Sequence, residues 1–168
     1  VGRIFREGEY NFTSVKVGVT AYRIPNTVLR FEYTWSNALV FRHNVPTTTF
    51  ESNQYNLGHF LEDNAQDLYA AVEFKPWRTM KIIAYYNNSV KGPDHTYLGT
   101  MPRTTLTPLE PNVWQSTKIG ISTSLQIIND IYLRLGYEWR NVTGAAEYVE
   151  MWTPEVYWGE TGTFNVGL

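Results

Sequence analysis

Along much of the chain, apolar and polar residues take turns one by one. In residues 131–141, IYLRLGYEWRN, one parity holds Ile131, Leu133, Leu135, Tyr137 and Trp139, and the other Tyr132, Arg134, Gly136, Glu138 and Arg140. Successive side chains of a strand point to opposite faces, so this pattern predicts a strand with an oily face and a charged face. The period recurs at 13–22 (Val15, Val17, Val19, Ala21), 28–41 (Leu29, Phe31, Tyr33, Trp35) and 67–75 (Leu68, Ala70, Val72, Phe74). It continues at 79–87 (Met80, Ile82, Ala84, Tyr86) and 115–127 (Ile119, Ile121, Leu125, Ile127), and the final GTFNVGL makes a seventh strand. No segment carries a convincing helical period. The chain reads as all-β and antiparallel.

The charges keep the same parity. Lys16, Arg30, Glu32, Glu73, Lys75, Lys81, Lys118, Arg134, Glu138 and Arg140 all lie opposite the oily residues of their own strands. Parity alone does not say which face is inside, because a soluble sandwich hides its oily face whereas a membrane barrel turns it to lipid.

The connections favour the barrel. Short links at 23–26, 76–78 and 128–130 alternate with long ones at roughly 42–66, 88–114 and 142–160. That alternation places every short turn at one end of the sheet and every long loop at the other, as in an outer-membrane barrel with short periplasmic turns and long external loops. Residues near Asn26 and Asn129 are then periplasmic. Tyr22, Trp35, Trp77, Tyr86 and Trp139 stand near strand ends, where they fit either interfacial aromatic girdles or an ordinary core. On the barrel reading the charged parity lines a lumen, in which Glu32 can pair with Lys16 or Arg134 if the register allows. Residues 1–168 are expected to form a single β-barrel domain. Seven strands with an outside start predict that this domain is the C-terminal portion of a larger transmembrane barrel, since single-chain bacterial barrels have even strand numbers.

Composition removes other classes. A net charge of -2 over 168 residues offers no basic surface for nucleic acid. No apolar run approaches the roughly 18 residues of a membrane helix. The chain has no cysteine, which excludes disulfides and thiolate metal sites. Twelve Tyr, eight Phe and six Trp give a heavy aromatic load that the loops share.

Three elements carry a resemblance: FEYTW, then PTTTFESNQYNLGHFLEDNAQDLY, then the turn KPWR, all within residues 26–78. This run, about a third of the chain, resembles the Wzi-like capsule-assembly barrels and their outer-membrane relatives in Bacteroidota. The resemblance implies a Gram-negative outer-membrane protein whose external face handles surface polysaccharide, without enzymatic activity. It transfers no ligand residues.

Catalytic and metal chemistry find little purchase. His43, His59 and His95 all fall in long loops, and no spacing sets one beside a nucleophile and an acid. Glu62, Asp63, Asn64 and Asp67 offer oxygen ligands without the spacing of a known calcium loop. No cofactor or metal is expected. The recognition candidates are instead loop residues: Tyr148, Trp152, Tyr157 and Trp158 in AEYVEMWTPEVYWGE, and Tyr55 and His59 earlier. Such rings can stack on sugars, anchor a protein partner or cap the barrel mouth. The expected partners are outer-membrane lipid and either surface polysaccharide or an outer-membrane protein complex. An accessory subunit of an export or insertion machine and a diffusion porin are the alternatives.

Overall fold

The computed structural model describes residues 13–41, 51–52, 55–56, 58–95, 109 and 111–168. Strands β1 (Ser14–Ala21), β2 (Thr27–Ser36), β5 (Ala65–Trp77), β6 (Met80–Lys91), β7 (Trp114–Ile128), β8 (Ile131–Gly144) and β9 (Gly159–Gly167) form one antiparallel sheet. Each strand pairs with the next in sequence, so the sheet is a meander. A separate two-residue hairpin pairs β3 (Glu51–Ser52) with β4 (Tyr55–Asn56).

All seven expected strands are present. The one expected over 28–41 stops at Ser36, where Asn37 begins a turn and Leu39 takes a left-handed backbone with its side chain buried. β5 to β8 run to between 12 and 15 residues, longer than the apolar alternation alone reaches, because polar residues continue the ladder towards the long loops. The expectation of no helix is corrected by α1 (Ala146–Trp152), followed by a single 3₁₀ turn at Glu155–Tyr157. Two turns of helix are too short to establish a period. Tyr148, Val149 and Trp152 nevertheless fall on one helical face and pack against buried residues.

The short connections are tight. Asn26 and Asp130 supply the left-handed backbone that the turns β1–β2 and β7–β8 require. The three long connections all emerge at the opposite end.

The two faces are unequally covered in the reverse of the soluble pattern. On the apolar parity Val19 is 58% exposed, Ile121 50%, Leu135 47% and Phe164 80%. On the polar parity Thr34, Ala71, Glu73 and Ser116 are buried. Among the described residues no element covers the oily face. A single sheet whose polar side chains are the more enclosed curls towards its polar side. It is not closed, since β1 and β9 each have one strand neighbour among the described residues.

The only described cluster of buried apolar residues sits at the long-loop end. Leu61, Ala65, Trp114 and Val142 meet there, with Tyr148, Val149 and Trp152 packed against them.

Candidate functional site

The charged residues of the polar face pair both across strands, as Lys16–Glu32 and Arg30–Glu73 do, and along one strand, as Lys75–Glu73 and Arg140–Glu138 do. Lys16 Nζ lies 2.9 Å from Glu32 on β2, while Arg30 and Lys75 approach Glu73 at 3.5 and 3.2 Å. Farther along the sheet, Tyr85 donates its hydroxyl to Glu138, whose other oxygen receives Arg140 at 2.6 Å. Lys118 stands in register between Asn87 and Arg140. The Tyr85 ring lies directly over Gly120, where a Cβ would collide with it. A glycine beneath an aromatic ring lets the ring lie flat on the sheet and reach Glu138.

At the long-loop end the polar face is closed by loops. Asn64, fully buried with a left-handed backbone, donates from Nδ2 to the Pro93 carbonyl at 2.9 Å and accepts the Leu109 N–H at 2.9 Å. Its own N–H reaches the Asn37 carbonyl, and its carbonyl receives Gly92 N–H. One side chain thus joins three segments. Lys91 is 0% exposed; its ammonium bonds the Asp63 carbonyl at 2.9 Å and Asp94 at 3.0 Å, and lies 5.2 Å from the centre of the Trp152 ring. A buried ammonium is tolerated only with such partners.

Just below this closure, Asp67 accepts from Asn87 Nδ2 at 2.8 Å and Ser89 Oγ at 2.6 Å, and its second oxygen faces His59 Nε2 at 3.9 Å. His59 Nδ1 accepts the Leu61 N–H at 3.4 Å, which favours the neutral ring. Burial holds this imidazole below its usual pKa; Asp67 opposes the shift and Lys16 adds to it. The serine bonds the acid rather than the imidazole, so this trio lacks the relay that activates a nucleophile.

The loop aromatics divide. Trp152 and Tyr148 turn inward on the cluster, and Trp114 Nε1 bonds Thr153 Oγ1 at 2.9 Å to fasten the segment behind α1. The Tyr157 ring stacks 4.2 Å from the Arg140 guanidinium. Trp158 remains exposed, although its indole N–H bonds the Thr153 carbonyl at 2.8 Å. Tyr55 lies in β4, opposite Ser52. His43 lies outside the described residues.

Of the two partners open to Glu32, register selects Lys16, because Arg134 is four strands away on β8. Sequence reasoning missed Asn64 as a joint, Lys91 as a buried cation and the Tyr85–Glu138–Arg140 group. Lys91 and Tyr85 share the parity of Lys81, which was the available signal. Arg78, Lys81 and Arg134, at the short-turn end, form no ion pair or hydrogen bond among the described residues.

No protein-family model, curated protein or solved structure matches the chain.

Proposed function

We propose that this chain forms part of the wall of a non-enzymatic outer-membrane β-barrel that engages surface polysaccharide at its long-loop end. The observation that carries the reading is the uncovered oily face backed by an enclosed polar one, the arrangement a lipid-facing wall requires. On β8 the band from Ile131 to Trp139 covers eight residue steps, about 27 Å along the strand at ~3.4 Å each, or about 20 Å along the normal at barrel tilt. That approaches the apolar band of about 25 Å in such barrels.

The border of the band supports the same reading. Tyr86 and Trp139 share a cross-strand row, and the next row holds Asn88, Thr117 and Asn141 on the same parity. Tyr33 and Trp139 send their polar atoms to Gln66 and Glu160, while Trp77 and Tyr22 stand at the opposite border. A sheet edge cannot face hydrocarbon unpaired, so the barrel reading requires strand partners for β1 and β9 in the membrane.

The resemblance to Wzi-like barrels supplies polysaccharide as the ligand, and Phe60 and Trp158 supply exposed rings at the long-loop end. An accessory-subunit role is the second reading, favoured by the exposed apolar Met151 and Val156 on the same loop. The loop closure over the polar face favours both over a porin. Cysteines at Glu147 and Met151 should react with an impermeant maleimide on intact cells, and cysteines at Asn26 and Asn129 should not. The Phe60→Ala/Trp158→Ala variant should fold and lose surface polysaccharide. Loss of a copurifying protein instead selects the second reading, and equal labelling of Asn26 and Glu147 overturns the topology.

A further inference from the structure

The two ends of the polar face differ in charge. Towards the long loops Lys16 is paired with Glu32, Arg140 with Glu138 and Lys91 with Asp94, and Lys118 alone has no ion pair among the described residues. Near the short turns the balance is reversed. Lys81, Ser124 and Arg134 are consecutive partners across β6, β7 and β8, so the two cations share one face about 10 Å apart at the backbone. Arg78 in the β5–β6 turn and Lys75 flank them, and of these four cations Lys75 alone is paired, to Glu73.

These cations edge a groove made of two adjoining hollows of about 450 and 330 Å³, which share Lys81, Ser124 and Arg134. The floor is Ser122, Ser124 and Gly136 with Asn165 beside them, and Gln126 and Tyr132 continue it. Small residues keep the floor low, and hydroxyl and amide groups offer donors and acceptors beside the apolar Ile83, Leu135 and Val166. An elongated hollow suits an extended ligand better than a single ion. Unpaired guanidinium and ammonium groups at its rim suit carboxylate or phosphate groups carried on that ligand.

We propose that this groove at the short-turn end binds an anionic oligosaccharide, with Lys81, Arg134 and Arg78 meeting its charged groups and the Ser122–Ser124–Asn165 floor meeting its hydroxyls. The assignment of a sugar rests on the polysaccharide reading above; the anion preference rests on the groove alone.

The test is direct binding to the purified, folded full chain in detergent, with oligogalacturonate, pyrophosphate and uncharged maltohexaose as probes. Oligogalacturonate should bind, weaken with added salt, and lose about tenfold or more in affinity in Lys81→Gln/Arg134→Gln, two charge-assisted contacts being removed. The charge-preserving Lys81→Arg/Arg134→Lys variant should retain binding, which separates loss of charge from loss of fold. Lys16→Gln, at the other end, should bind as the parent does. Equal binding of maltohexaose, or unchanged affinity in the Gln variant, overturns the proposal; binding of pyrophosphate without oligogalacturonate overturns the sugar assignment. Because the assay uses purified protein, its failure is distinct from failure of the cell-surface retention test with Phe60 and Trp158.

Discussion

Replacing Leu135 by Arg separates a lipid-facing sheet from one facing water. Leu135 is the midpoint of the β8 band between Ile131 and Trp139, stands between Thr123 and Val166 across the neighbouring strands, and is 47% exposed. Were that exposure to water, the substitution would remove roughly half of a leucine's burial, about 1 kcal/mol. The arginine stem would restore part of it by lying along the same surface. The net cost would stay below about 1 kcal/mol. If the face meets hydrocarbon, an arginine near the midplane costs about 2–4 kcal/mol, and the penalty falls to about 0–1 kcal/mol near the interface. The lipid reading therefore predicts a depth profile on one strand: large at Leu135 and small at Ile131. Folding into lipid vesicles, followed by urea titration with gel mobility of unheated samples as the readout, measures both. Equal small costs at Leu135 and Ile131 would refute the lipid-facing assignment, whatever the fate of the polar face.

Three further outcomes test the polar face and its closure. Gly120→Ala should destabilise by about 1–3 kcal/mol, because its Cβ collides with the Tyr85 ring and displaces it from Glu138, whereas Gly18→Ala, with 3.6 Å to its nearest neighbour, should be nearly neutral in the same titration. Asn64→Ala should cost about 2–4 kcal/mol, since it strands the half-buried Pro93 carbonyl and Leu109 N–H and places alanine in a left-handed backbone; hydrogen exchange at Leu109 and Gly92 should quicken with it. Acid should loosen the closure through His59. Its folded-state pKa is lowered, so the unfolded chain binds the proton more readily and stability falls as pH drops below the ordinary histidine value of about 6.5. His59→Gln should flatten that part of the pH–stability curve; an unchanged slope would exclude His59 as its source.

Alternation placed the strands because it is a local property: Ile131 to Trp139 show their faces without knowledge of any other strand. The parity of Lys16, Glu32, Glu73, Arg134 and Glu138 was legible for the same reason, and link lengths foretold which ends of the strands are neighbours. The missed elements have local causes as well. α1 is seven residues long, and its apolar face is defined by what it touches rather than by a repeated period. Pairing between distant charges was beyond local pattern. Glu32 had two candidate cations of equal merit in the sequence, and only register put Lys16 beside it and Arg134 four strands away. Asn64 reads as an ordinary loop residue until the Pro93 and Leu109 segments meet on its side-chain amide, and Lys91 reads as a solvated strand end until Asp63, Asp94 and Trp152 close around it. Which face is enclosed was also a tertiary matter. Alternation sorts side chains into two sets, but the curl of the sheet and the packing of the loops determine which set is shielded, and those arise from contacts between residues far apart in the chain.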